Sequence, residues 1–252
     1  MINVLRSEWI KLRTVRMNWV LLFIAIAFPL IVSALTTALQ NESNIDSENL
    51  LGLVTGTSVV TALLLGVVGA VSITSEFGFG TIRPTFAATP RRSTVIASKA
   101  IVIVTVTALV EAVVVIVTYS VCSAIASSRG VAVSLSDAPA GSAAIVGVIA
   151  FAGIVSLLGY GLGLMLRNTP AAVAVLILWP LLIENLLTAL LSAAKVSHPA
   201  KFMPYISGIQ LANPDSGSDS NFLSRVPAGL YFFTVTMVIV VIGAVLTSRR
   251  DA

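Results

Sequence analysis

The chain has 252 residues, 57% of them hydrophobic and only 10% charged, with a formal net charge of +4 and a mean hydropathy of +1.00. An ordinary soluble domain is about 45–50% apolar and about 25% charged, so these few charges cannot cover so large an apolar content: a soluble globular fold is excluded and lipid is the solvent. One cysteine, Cys122, and one histidine, His198, exclude an intrachain disulfide and leave too few soft ligands for structural zinc.

Residues 1–18 place Ile2, Leu5, Trp9 and Leu12 at spacings of three and four, with Arg6, Lys11 and Arg13 largely off that stripe. This pattern predicts an amphipathic helix lying in the membrane interface, Trp9 at headgroup level and the cations toward phosphates. A plain basic flank that only orients the first span fits the same residues. A spanning helix needs about 20 mostly apolar residues. Six stretches qualify: Val20–Leu39, Leu53–Ile73, Ile101–Ile125, Ala143–Leu166, Ala171–Leu191 and Ala228–Leu246. The first exceeds the apolar region of a secretory signal, about 7–15 residues, and is expected to be retained.

Between the spans, Asn41–Gly52 is an acidic connector, whereas Thr74–Lys99 is long and mixes Gly78, Gly80, Pro84 and Pro90 with charges. Residues 192–227 carry an apolar patch at Phe202–Leu211 broken by prolines, too apolar for a free loop, so parts are expected to dip back toward the bilayer under protein cover. Of the 15 Lys and Arg, only Arg129, Lys195, Lys201 and Arg225 fall on one side of this arrangement. The excess on the other side predicts that both termini are cytoplasmic. The basic residues flank apolar segments instead of clustering with aromatics, which argues for a lipid bilayer and against nucleic acid as a partner. The expectation is an all-α, six-span, multi-pass protein forming a single transmembrane domain over residues 1–252.

Two acids remain inside the spans, Glu111 and Glu184. A charge at mid-bilayer costs at least about 2.5–3.5 kcal/mol, so neither faces lipid. Each suits a contact in a translocation path or a proton relay, and each equally suits a structural hydrogen bond between helices. Pro180, close before Glu184, frees a carbonyl and bends its helix. Gly159, Gly161 and Gly163 allow close helix approach. No lysine follows a glycine, so a P-loop is absent, and the lone histidine excludes a zinc-protease pair or an intramembrane serine–histidine site. The chain is expected to be no enzyme, with no cofactor or metal of its own.

The segment from Ile73 to Arg92 reads Ile-Thr-Ser-Glu-Phe-Gly-Phe-Gly-Thr-Ile-Arg-Pro-Thr-Phe-Ala-Ala-Thr-Pro-Arg-Arg, followed by Lys99. Thr81–Ala88 suits a short helix with Ile82 and Phe86 on one side, stopped at Thr89-Pro90. This loop, the Ser7-Glu-Trp-Ile-Lys-Leu-Arg13 lead and the six spans resemble the permease subunits of ATP-binding-cassette exporters of the type-2 class. The resemblance covers nearly the whole chain. It implies a coupling helix over Thr81–Thr89 that docks on a separate ATPase subunit, with Glu76, Gly80, Thr81, Arg83, Thr89, Pro90, Arg91 and Arg92 as its residues. Arg91 and Arg92 equally suit positive-inside anchoring. Pro84 departs from the pattern and disfavours α backbone at Arg83, so the helix is expected to begin at Pro84. Glu76 is placed to pair with Arg83 or Lys99.

The resemblance further implies a second permease copy, identical or paralogous, ATP and Mg held by the partner, re-entrant helices within 192–227, and a bacterial plasma membrane location. The cargo would be an amphipathic or hydrophobic compound, with a drug, antibiotic or peptide first. Two other readings stand beside it: an autonomous proton- or ion-coupled transporter using Glu111 and Glu184, and a membrane scaffold or immunity protein.

Overall fold

The computed structural model describes residues 7, 9, 10, 16–82, 84, 92–138, 140–217 and 219–250. Among them every regular element is a helix. Helix α1 spans Arg16–Leu39 and α2 spans Ser47–Gly78. Asp46 caps α2, its carboxylate accepting from the Asn49 amide at 2.7 Å, and the chain turns away at Gly80 with φ of +68°, a conformation open to a residue without Cβ. Helix α3 runs Arg92–Ser128 and α4 Gly141–Leu166. Asn168 caps α5, Thr169–Leu178, and Pro170 sits in its first turn, where a missing N–H costs nothing.

A six-residue π turn, Trp179–Glu184, joins α5 to α6, Asn185–Ala193. The short α7, Pro204–Ile209, precedes the last helix α8, Arg225–Arg250. Among the described residues six helical stretches are long and apolar enough to cross a membrane, the fifth being α5, the π turn and α6 together. Helices α2 and α3 outrun the apolar stretches that announced them. At 1.5 Å per residue the 32 residues of α2 reach about 48 Å, beyond a hydrocarbon core of about 30 Å. Helix backbone continues where hydropathy stops, and Glu76 and Lys99 lie on those extensions.

The alternating helices give the bundle two ends. The loop end carries the start of α1, residues 79–91 and the end of α8; the far end carries the α1–α2, α3–α4 and 194–224 connections. At the centre α2 and α4 pack backbone to backbone. A Cβ on Gly69 would collide with the Ser156 carbonyl, and one on Gly159 with that of Gly66. Gly161 lets α8 approach the other side of α4, where a Cβ would sit 2.9 Å from Val240.

At the far end α7 and the turn after it descend into the bundle instead of lying on it. Tyr205 stacks edge-on to Phe151 of α4 (5.3 Å between centroids) and to Phe232 of α8 (5.9 Å). Gly147 on α4 leaves room for the Leu211 backbone, which a Cβ would strike. A short helix and its turn are thus held within protein, between α4 and α8. The outer faces of α1 and of α5–α6 remain apolar and exposed, with Phe23, Ile31, Leu181 and Leu186 prominent.

Candidate coupling base and intramembrane carboxylates

At the loop end, the last turn of α2 and the second turn of α3 bring Glu76 and Lys99 together. Lys99 Nζ donates to Glu76 Oε1 at 3.0 Å, and both side chains are nearly out of solvent, at 8% and 5% exposure. Of the two partners open to Glu76 in the sequence, Lys99 is one the structure supplies. Thr81 leans back over the same turn, its hydroxyl 3.5 Å from the Glu76 carbonyl. Ile82 is buried against Ile73, Val95, Ile96, Tyr160 and Leu164, while Phe79 is 83% exposed. Ile82 and Pro84 have helical backbone, while Arg83 between them lies outside the described residues.

Around this base the loop-end termini are tied by polar contacts. Thr169 Oγ1 donates to Thr74 Oγ1 at 2.7 Å, joining α5 to α2. Tyr160 donates from α4 to the Ile96 carbonyl of α3 at 3.0 Å. Arg167, in left-handed backbone just past α4, lies over the Phe77 ring at 4.7 Å and donates to the Thr247 carbonyl of α8 at 3.2 Å. Neither Arg167 nor Tyr160 was singled out from sequence: an arginine after an apolar span reads as an ordinary flank.

Of the other residues expected to couple, Gly80 and Thr81 are exposed. Arg83, Thr89, Pro90 and Arg91 lie outside the described residues, and Arg92 is placed only as the first residue of α3. In the lead, Trp9 is helical and 44% exposed, whereas Arg6, Lys11 and Arg13 lie outside the described residues.

The two intramembrane glutamates are apart and differently treated. Glu111 on α3 is fully buried and neither carboxyl oxygen has a hydrogen-bond partner. Ser58 of α2 faces it, but not at hydrogen-bonding geometry, and its own hydroxyl is unpartnered. One turn earlier, Thr107 pairs with Ser156 of α4 at 2.8 Å. These contacts form a polar seam through α2, α3 and α4.

Glu184, also fully buried, ends the π turn and reaches across to the start of α7. Its Oε1 accepts from the Tyr205 amide (2.9 Å) and the Trp179 indole (2.9 Å), its Oε2 from the Ile206 amide (2.8 Å). The carboxyl thus satisfies amides that a helix start leaves open, and it fixes α7 to the fifth span. Pro180 supplies no N–H to the helix ladder, which favours the π geometry that turns Glu184 inward. Trp179 and Tyr205 carry no sequence signal for this role; Trp179 reaches Glu184 within the π turn, and Tyr205 meets it through folding across 21 residues.

Comparison with curated proteins gives no match. Over residues 4–194, a range that takes in α1 to α6, the coupling base and both glutamates, the chain matches the model of the ABC-2 family transporter proteins, and it belongs to that family.

Proposed function

We propose that the chain is the permease subunit of an ATP-driven exporter, moving an amphipathic or hydrophobic compound out of a bacterial cell with ATP hydrolysed, with its Mg, by a separate nucleotide-binding subunit. Family membership supports a role in membrane transport, and the observation that carries the finer reading is the buried Glu76–Lys99 pair at the root of the 79–91 loop. A flexible connector has no use for a buried ion pair at its base. A loop that receives a push does, because the pair makes the ends of α2 and α3 move together.

In this reading the loop end is cytoplasmic, with both termini. Glu76, Gly80, Thr81, Arg83, Thr89, Pro90, Arg91 and Arg92 form the docking element, residues 1–18 with Arg6, Trp9, Lys11 and Arg13 the interfacial helix, and a second permease copy covers part of the exposed apolar faces. Drug, antibiotic or peptide cargo suits the apolar interior. The test is purification from native membrane in mild detergent. Co-purification of an ATPase subunit, lost in the Arg83→Ala, Arg91→Ala double variant, is the expected result; a chain that comes out alone and without ATPase activity overturns the reading.

The unpartnered carboxyl of Glu111 favours one rival, an autonomous proton- or ion-coupled transporter using Glu111 and Glu184. That rival requires pH-driven flux by the chain alone, abolished in Glu111→Gln.

A further inference from the structure

Helices α3 and α8 both pack on α4 and meet each other little. Between them, in the loop-end half of the bundle, runs an open groove of about 620 Å³, floored by Leu157 of α4. One wall follows α3 from Ser93 to Thr105, the other α8 from Phe233 to Ser248. Small side chains at Ala97, Ala100 and Ala244 hollow it out. Its polar residues are Thr105 at the inner end and Ser93 and Ser248 at the loop end, and the remaining lining is apolar.

The dimensions choose the occupant. At about 1.5 Å per residue the α3 wall is about 18 Å long and the α8 wall about 22 Å, against about 15 Å for half of a hydrocarbon core. The groove therefore runs through one leaflet, from its middle to the headgroup layer. Spread over that length, the volume corresponds to a channel about 6 Å across. A helix with its side chains is about 10–12 Å across and does not enter; a single hydrocarbon chain does. Charge then chooses the headgroup. Arg92 precedes Ser93 and Arg249 follows Ser248, and Arg249 is exposed. Among the described residues the one acid at this end, Glu76, is buried and engaged by Lys99, so no described carboxylate offsets the arginine charge at the mouth.

We infer that this groove holds one acyl chain of an anionic phospholipid from the leaflet at the loop end, with its phosphate at the Ser93–Ser248 mouth under the charge of Arg249. Basic residues at a membrane surface attract anionic lipids, and the groove adds a fixed seat for the chain. A void between helices forfeits the dispersion contacts of its lining; the acyl chain restores them and joins α3 to α8 where their own side chains stand apart. The site needs only the membrane-spanning bundle and does not rest on the exporter reading.

The test is native mass spectrometry of the purified, delipidated full chain in detergent, titrated with palmitoyl-oleoyl phosphatidylglycerol and, separately, with phosphatidylcholine of the same chains. Phosphatidylglycerol is expected to fill one tight site per chain, about fivefold or more tighter than phosphatidylcholine, the scale of one arginine at a membrane surface. Arg249→Gln lowers the phosphatidylglycerol affinity by about that factor and leaves phosphatidylcholine unchanged. Ala97→Phe, at an exposed position in the groove, keeps the charge at the mouth and weakens both lipids together. Should Ala97→Phe not fold, Arg249→Gln, at an exposed helix end, still reads out the mouth. Equal affinity for the two lipids in the wild-type chain would leave the groove open to any hydrocarbon, cargo included, and overturns the inference, as does phosphatidylglycerol binding unchanged in Arg249→Gln. A tight site that survives Ala97→Phe lies elsewhere and overturns it too; if that variant also changes the number of chains in the complex, the groove belongs to a second copy. No ATPase subunit enters the titration, so a failed partner purification and a failed lipid titration are separate results.

Discussion

Lys99 is the residue whose removal has the clearest cost. Taking away one member of a buried ion pair strands the other, at about 3–5 kcal/mol, while replacing both with apolar side chains is often neutral. Lys99→Met is therefore expected to lower the detergent melting temperature sharply, and Glu76→Leu with Lys99→Met to recover most of it; a double variant as unstable as the single one would mean that the pair is not the source of the loss. Glu111 runs the other way. A buried carboxyl without a hydrogen bond costs about 1–3 kcal/mol or more, so Glu111→Leu is expected to raise the melting temperature, and a fall would reveal a partner that the carboxyl meets elsewhere in its working cycle. Glu111 and Glu184 were legible as buried because charge at membrane depth is expensive, and Lys99 was legible as a partner of Glu76 because both flank the same loop. Their contrast was not: Glu184 is held by amides at 205 and 206, and backbone donors leave no mark in composition or spacing.

At the scale of elements, glycine decides how close helices come. Gly159→Ala on α4 would drive a methyl into the Gly66 carbonyl, where the neighbour is backbone and cannot swing aside. Overpacking of this kind costs about 1–3 kcal/mol or more. Gly56→Ala on α2 meets nothing within 4 Å and replaces a residue that weakens helix interiors by about 0.5–1 kcal/mol relative to alanine. Thermal melting of the two variants is expected to move in opposite directions, and parallel shifts would refute the tight α2–α4 contact. The six spans and the packing role of Gly159, Gly161 and Gly163 were readable from apolar length and small-residue spacing. Which helices those glycines join was not, since each glycine only permits an approach and the partner is chosen by the whole bundle. The inward course of α7 was foreshadowed by the apolar patch at Phe202–Leu211, whereas its seating on Phe151 and Phe232 depends on side chains far away in the chain.

For the molecule as a whole, the two ends are built for different work. The far end is closed by α7, by Glu184, and by Arg129, which donates to the Thr37 and Gln40 carbonyls at the end of α1 at 2.8 and 2.7 Å. The loop end gathers α2, α3, α4, α5 and α8 into one unit through Lys99, Tyr160, Thr169 and Arg167. In the exporter reading a push on residues 79–91 moves α2 and α3 first, and it reaches α8 through α4, through the packing of Val240 with Ile96 and Ile103 of α3, and through the Arg167 contacts to Phe77 and Thr247. Arg83→Ala with Arg91→Ala acts before that point, at docking, and is expected to reduce partner affinity and transport alike. Arg167→Ala acts after it: the partner is expected to bind and hydrolyse ATP as before, while cargo moved per ATP falls severalfold, measured in proteoliposomes holding the co-purified complex. Unchanged transport per ATP in Arg167→Ala would mean that α8 follows through its packing on α4 and α3 without Arg167, and a loss of partner binding would place Arg167 in docking instead of transmission.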